Sequence, residues 1–317
     1  MVKAAYQGMK AAEEFLFQNH ISYPEGWVVT GASKRGWTTW DVGVARCESC
    51  VKIVGIAPTV PIVPDINKEA HHMWQTLGGF TWTFQDYLHL NLTQEMWTDE
   101  WHMALDIMDP IKNIDRLKDM PIFMMVASND EFMQFEWTNF NYDRLPGEKH
   151  LYIVSNAEHE MFTAYRRYFS NLGSFMTSIA SGSSSRPDFD YFYNKTNGEL
   201  KIKLKDTNKV KIERVKLVSA ETLSTQRRDF RWMFQSNNNT EPCKLPYFPL
   251  PGDMLEKLPP NLVGAENICF APIVWVTDDL QESEDEPGVY KALPPEPREG
   301  HWTGYYIEME FEGDHPD

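Results

Sequence analysis

The chain has 317 residues, of which 42% are hydrophobic and 24% charged, an ordinary globular balance with length for about two domains and a sizeable core. Its formal charge of −16 argues against nucleic acid or an anionic membrane surface as partner, and no apolar run is long enough to span a bilayer. The eleven tryptophans are read as core packing before any carbohydrate- or peptide-facing surface.

In chain order, Ala5, Met9, Ala12 and Leu16 recur at helical spacing and predict a helix over 2–18 with one buried stripe. Its internal acidic residues argue against a signal peptide at Met1. Trp27 to Thr30 read as a short buried strand, followed by Gly31-Ala32-Ser33 and then by helix-forming residues from Arg35 to Val44. A serine between strand and helix is the setting of a nucleophile elbow. The tight turn lifts the hydroxyl above the sheet and places the next backbone N–H, that of Lys34, to hold an oxyanion.

Other readings of this stretch compete. Ser33 also suits a helix N-cap. Thr-Gly-Ala-Ser also opens short-chain dehydrogenases, and Tyr191 and Lys195 have the Tyr-x-x-x-Lys spacing of those enzymes. A pyrophosphate site needs further glycines, however, and only Gly36 follows, with Thr38 where another is expected. Tyr191 also leads into predicted strands rather than along a helix. The hydrolase pattern G-x-S-x-G is itself departed from, because Arg35 replaces its last glycine. Arg35 is read as structural, paired with a carboxylate of the following insertion, ahead of a role in lending charge to an oxyanion.

Val51 to Ala57 predict a second buried strand, so helix and strand alternate as in a parallel sheet covered on both faces. From Pro58 to Asp109 the pattern breaks into a Trp-, His- and Met-rich stretch with Gly78-Gly79 in its middle, read as a helical, lid-like insertion. His71, His72, His89 and His102 lack the i, i+4 spacing of a helical metal site and are read as solvated or hydrogen-bonded. Alternation resumes with a strand at 121–127, a helix up to the turn at 145–148, a strand at 149–154 and a long helix at about 160–179. Phe162, Tyr165, Tyr168, Phe169 and Leu172 are expected along one side of that helix.

Ser181 to Pro187 is a linker by composition. Beyond it, short alternating runs at 200–204, 210–213, 215–217, 229–234, 273–277 and 304–311 predict a small antiparallel sandwich, with an acidic loop at 278–286. Cys47 and Cys50 have C-x-x-C spacing and Cys243 and Cys269 stand apart. All four are read as structural rather than redox or metal-binding, with the pairing left open. Asn91, Asn194 and Asn238 sit in N-glycosylation sequons.

Asp130 and His159, like Ser33, each fall just past the carboxyl end of a predicted buried strand, the rim where open parallel sheets bind ligands. The order Ser, Asp, His is that of α/β-hydrolases. The types fit the chemistry: imidazole accepts the serine proton, and a carboxylate fixes its tautomer and steadies its charged form. Helix capping by Asp130 and an ordinary loop role for His159 are the simpler alternatives. Glu131 is the weaker competitor for the acid.

The block Gly31-Ala32-Ser33-Lys34-Arg35-Gly36-Trp37-Thr38-Thr39-Trp40 resembles the signature of the PhoPQ-activated pathogenicity-related protein family, which includes autocrine proliferation repressors. The likeness continues through Gly78-Gly79-Phe80, Asp109-Pro110, Asn129-Asp130-Glu131-Phe132, Asn156-Ala157-Glu158-His159, Arg228-Asp229-Phe230-Arg231 and Trp302-Thr303-Gly304-Tyr305-Tyr306. It implies an α/β-hydrolase core at 1–180 with an insertion at 58–109, a linker at 181–188 and a β-sandwich at 189–317. It also implies secretion, no cofactor, and one of two activities. Either Ser33, Asp130 and His159 act as a hydrolytic triad on an ester or amide of a small molecule or peptide, or the protein is an extracellular signal read by a cell-surface receptor. Family members begin upstream, with a signal peptide and the first strands, so the resemblance further implies a shortened chain.

Overall fold

The computed structural model describes residues 1–45, 51–61, 64–182, 186–207, 210–235 and 268–312. Cys47, Cys50, Cys243 and Asn238 lie outside these residues, and so does the side chain of Cys269. The chain opens with α1 (Val2–Gln18), β1 (Trp27–Ala32), α2 (Lys34–Val44) and β2 (Ile53–Thr59). After the insertion come β3 (Ile122–Ala127), β4 (Lys149–Val154) and a long helix over 165–180. The four strands form one sheet in the order β1-β2-β3-β4, every pair parallel.

Strands buried on both faces need no polar alternation, and β3 is the clearest case. Ile122, Met124 and Val126 face a core shared with Trp40, Ile56, Leu117 and Trp137. Phe123 and Met125 face the opposite core with Ala57, Leu172 and Phe175. Residues one apart therefore serve two different layers, which is why the 122–127 run is apolar throughout.

The insertion is helical, as expected: α3 (Ile66–Leu77), α4 (Gln85–His89), α5 (Leu92–Glu95) and α6 (Asp99–Met108). Gly78 ends α3 in the left-handed conformation that glycine adopts without strain. Asp109 closes the neck. Its carboxylate accepts the backbone N–H of Asp65 at 2.9 Å and Ile66 at 2.7 Å on the way in, and of Ile111 at 3.0 Å on the way out. The histidines are hydrogen-bonded where they meet carboxylates or amides: His72 to Glu136 at 2.6 Å and His102 to Asn67 at 2.9 Å.

Several local expectations are corrected. The stripe of α1 lies on the predicted face but is only half covered, and no residue of the helix is buried. The stretch before the 145–148 turn is not one helix but short 3-10 turns around α7 (Thr138–Asn141). The last helix, α8 (Tyr165–Ala180), buries Leu172 and Phe175, while Phe162, Tyr165 and Phe169 are exposed. One apolar side was assumed where the sequence offers two, and the sheet uses the one nearer the carboxyl end.

The C-terminal region begins with β5 (Phe189–Tyr193), β6 (Leu200–Leu204), β7 (Ile212–Glu221) and β8 (Met233–Gln235). It continues with β9 (Ile268–Phe270), β10 (Val276–Asp279), β11 (Val289–Ala292) and β12 (Thr303–Phe311). All pairings there are antiparallel: β10-β7-β12, β11-β6-β5 and β8-β9. Leu204 and Tyr290 of one sheet share a core with Val215, Ile307, Met309 and Phe311 of another, so the two three-stranded sheets face each other. The runs at 210–213 and 215–217 are one strand rather than two, β10 takes in the first two acids of the expected acidic loop, and β5, β9 and β11 fall outside the expected runs. Tyr191 lies on β5, which leaves the Tyr-x-x-x-Lys spacing without its helix.

Candidate active site

Ser33 follows β1 and precedes the first residue of α2. Its φ of 56° and ψ of −125° lie where residues with a side chain are rarely found. The turn is held by the Ser33 N–H donating to the Thr59 carbonyl at 2.9 Å, and by Trp37 N–H donating to the Ser33 carbonyl at 3.0 Å. Two glycines make the turn possible. A Cβ on Gly31 would lie 2.8 Å from the Cβ of Arg35, and one on Gly36 would lie 2.7 Å from the Thr59 carbonyl oxygen. The second close approach therefore falls at Gly36, one place later than G-x-S-x-G would have it.

Ser33 occupies the N-cap position of α2, but its side chain makes no capping hydrogen bond. Lys34, as the first helical residue, carries an N–H with no carbonyl of its own helix to meet. Arg35 makes no ion pair among the described residues and is exposed, so the expected pairing with an insertion carboxylate is not found there.

Asp130 follows β3 and His159 follows β4. His159 Nδ1 lies 2.9 Å from each carboxylate oxygen of Asp130. Both residues are buried. Asp130 Oδ1 also accepts the N–H groups of Phe132 at 2.7 Å and Met133 at 2.8 Å. The Phe132 ring packs on the imidazole with centroids 4.4 Å apart. Strands stand about 4.8 Å apart, so a loop straight above β4 would sit some three strands from β1. The β4 loop instead leans back over β3, with the Ala157 carbonyl accepting Asn129 N–H at 3.0 Å.

Glu131 does not reach the imidazole ring. Its Oε2 accepts the backbone N–H of His159 at 3.2 Å. Burial, reinforced by the Asp130 charge, pushes its carboxyl up to about 8. For His159, burial works against the charged imidazole. The charge and hydrogen bond of Asp130, with the charges of Glu131 and Glu160, outweigh it and raise the group above its ordinary 6.5. Among the described residues, His159 Nε2 and Ser33 Oγ have no hydrogen-bond partner, and they are not bonded to each other. The structure thus brings the acid and the imidazole together and sets the serine on the same sheet rim.

Backbone strain gathers along that rim. Val60, just past β2, has φ 35°, and Asn156, just past β4, has φ 54°. A positive φ is an outlier for a β-branched residue and tolerable for asparagine.

Three parts of the site escaped the sequence reading. Asn129, fully buried, donates its amide to the carbonyls of Phe230 at 2.9 Å and Ile273 at 3.3 Å. Asn156 pairs with Trp275. Arg231, buried against Asp229, reaches Thr81 of the insertion at 3.0 Å, and Thr81 donates to the Glu131 carbonyl at 2.6 Å. The asparagine just before the acid and the one shortly before the histidine were the available signals. Of the sequon asparagines, Asn91 is exposed at the start of α5 and Asn194 is half-exposed after β5.

The PhoPQ-activated pathogenicity-related protein family model matches residues 1–231. The chain is 27% identical over 323 aligned residues to Autocrine proliferation repressor protein A of Dictyostelium discoideum. That alignment takes in 98% of this chain and 56% of the relative, so the chain spans about half the relative's length. Among solved structures, it is similar to acetyl xylan esterase 1 from Thermoanaerobacterium sp., with TM-score 0.36, 16% identity, and 48% of this chain and 45% of that one covered. It is also similar to a monoacylglycerol lipase of Paleococcus ferrophilus, with TM-score 0.36, 15% identity, and 56% and 76% covered.

Proposed function

The chain belongs to the PhoPQ-activated pathogenicity-related protein family, and from that premise we propose that it is a serine hydrolase acting on an ester or amide by acyl transfer. The observation that carries this reading is the buried imidazole whose Nδ1 is held by Asp130 while Nε2 stays unengaged, on the rim that carries the strained turn of Ser33.

Each residue has a role that follows from its position. Asp130 holds the tautomer with the proton on Nδ1, so Nε2 is the basic nitrogen. As the Ser33 oxygen adds to the substrate carbonyl, its proton passes to His159 Nε2 and the oxyanion is met by the Lys34 N–H. The imidazolium then gives that proton to the departing alcohol or amine, leaving an acyl-serine. Water adds to the acyl-serine, loses a proton to His159 and releases the acid, with the serine reprotonated. Ser33 and His159 share no hydrogen bond here, and the step requires one that forms when substrate is present. The insertion, pinned at Asp109, shapes the substrate's approach.

A fluorophosphonate probe tests the reading. Wild-type chain becomes labelled, and Ser33→Ala and His159→Ala do not. Failure to label a folded wild-type chain overturns it.

The name of the Dictyostelium relative favours a second reading, an extracellular signal that restrains proliferation on the same scaffold, with no need for the triad. Secretion and glycosylation at Asn91 and Asn194 belong with it. Addition of wild-type and Ser33→Ala protein to proliferating cells separates the two: equal restraint by both assigns the activity to binding.

A further inference from the structure

The loops that carry the acid and the base are tied to each other and to the C-terminal strands by two asparagines. Asn129 precedes Asp130. Its amide donates to the Phe230 and Ile273 carbonyls, its side-chain oxygen accepts from Ser128 at 2.7 Å, and its carbonyl accepts from Trp232 N–H at 3.2 Å. Asn156 makes a reciprocal pair with the backbone of Trp275: its amide donates to that carbonyl at 2.8 Å, and its oxygen accepts that N–H at 2.8 Å. Its own N–H donates to Ser128 Oγ at 2.9 Å, which closes the circuit between the two loops.

An aromatic wall seals this polar knot. Phe135, beside the acid loop, meets Trp275 edge-on at 5.1 Å and Phe230 at 5.9 Å. Tyr306 packs on Trp275 at 5.6 Å and donates to the carbonyl of Ile153 at the end of β4. The side-chain groups of Ser128, Asn129 and Asn156 are buried or half-buried and all hydrogen-bonded, the condition under which a polar network fixes one arrangement, while the buried indole N–H of Trp275 in the wall has no partner among the described residues. No hydrogen bond from the C-terminal region reaches Ser33 among the described residues. The two halves of the candidate triad are therefore anchored differently: the serine by its own strand and helix, the acid and base by the β region.

We infer that Asn129 and Asn156 are positioning residues through which the C-terminal β region sets the geometry of the Asp130–His159 pair, making that region a working part of the active site rather than an appended module. This rests on the hydrolase reading, and it deepens it by assigning the placement of the base to residues 230–232 and 273–275.

The test uses the full chain. Asn156→Gly keeps the left-handed backbone, because glycine adopts positive φ without cost, but removes both bonds to Trp275. Asn129→Asp keeps shape and size and turns a donor into an acceptor facing two carbonyls. In variants that keep the wild-type circular dichroism and elution volume, the fluorophosphonate rate constant is expected to fall by about tenfold or more. The acid limb of its pH profile is expected to move, because His159 is no longer held against Asp130. A loss of stability alone would move neither reading in folded protein. Rates within about twofold of wild type with an unmoved profile, in folded Asn156→Gly, overturn the inference; if Asn129→Asp does not fold, Asn156→Gly decides. If wild type is not labelled at all, the hydrolase reading fails and the inference is judged by the proton resonance of His159 Nδ1–H. Loss of that resonance in folded Asn156→Gly supports the coupling, and its retention overturns it.

Discussion

Gly31 and Arg35 approach so closely across the elbow that a methyl group on the first would lie 2.8 Å from both the Cβ and the carbonyl oxygen of the second. Backbone cannot swing aside as a side-chain tip does. Gly31→Ala is therefore expected to cost about 1–3 kcal/mol by overpacking and to displace the start of α2. Urea unfolding measures the cost, and a wild-type midpoint for the variant would contradict it.

Strain at Ser33 has the opposite sign. A side chain held at φ 56° costs of order 1–3 kcal/mol, and glycine removes that cost. Ser33→Gly is expected to be more stable than wild type by about 1 kcal/mol while losing all fluorophosphonate labelling. A Ser33→Gly chain that is less stable than Ser33→Ala would show the turn to be relaxed.

The labelling rate should depend on pH through His159. The base must be neutral, and Asp130 together with Glu131 and Glu160 keeps its folded pKa above 6.5. Labelling is thus expected to rise with pH through a midpoint above 6.5, and Asp130→Asn should bring that midpoint down as it slows the reaction. Stability runs the other way. A group with a raised folded pKa contributes stability that is whole below its unfolded pKa and lost as pH climbs through the folded one. The His159–Asp130 contribution should therefore fade on the alkaline side of 6.5, as measured by urea midpoints for wild type against His159→Gln.

Glu69 lies in α3 with both carboxylate oxygens buried and, among the described residues, without a hydrogen-bond partner in good geometry. Burial foremost, then the charges of Glu136 and Asp130, holds its pKa well above 4.5, and the nearby Gln134 N–H offsets little of this. By the same linkage, the stability it lends below about 4.5 is lost as pH rises toward its folded pKa. Glu69→Gln removes that loss. The variant should gain on wild type between pH 5 and pH 8 in urea unfolding, and an equal response to pH in both would refute this.

The neck of the insertion depends on Asp109. Asp109→Ala leaves three N–H groups, those of Asp65, Ile66 and Ile111, without their acceptor, at about 1–3 kcal/mol for each that stays buried. Limited proteolysis should then cut within 66–108 in the variant well before any cut in wild type, with β3 and β4 still protected.

What the sequence disclosed follows from the range of the interactions involved. The strand at 122–127 was legible because burial on both faces leaves an unbroken apolar run, and the half-buried strand at 149–154 because Leu151 to Val154 close it with a shorter one. The rim positions of Ser33, Asp130 and His159 followed from where such runs stop. Asn129 and Asn156 were not legible, because their partners Phe230, Ile273 and Trp275 lie a hundred or so residues on, and an asparagine reads as a turn residue wherever it stands. The exposed side of α8 was misread for a related reason: periodicity shows that a helix has an apolar face, and only the shape of the neighbouring sheet decides how much of it is covered.

Among the described residues β1 is bonded to β2 alone, so it forms one border of its sheet, whereas the carboxylate partner of the imidazole rises from the interior strand β3. His159 follows β4, which is likewise bonded to one neighbour among the described residues, so the base is steadied by the C-terminal strands rather than by the ladder. Loosening of those C-terminal strands would release the base while leaving the elbow of Ser33 in place, so inactivation and unfolding are separable events in this architecture.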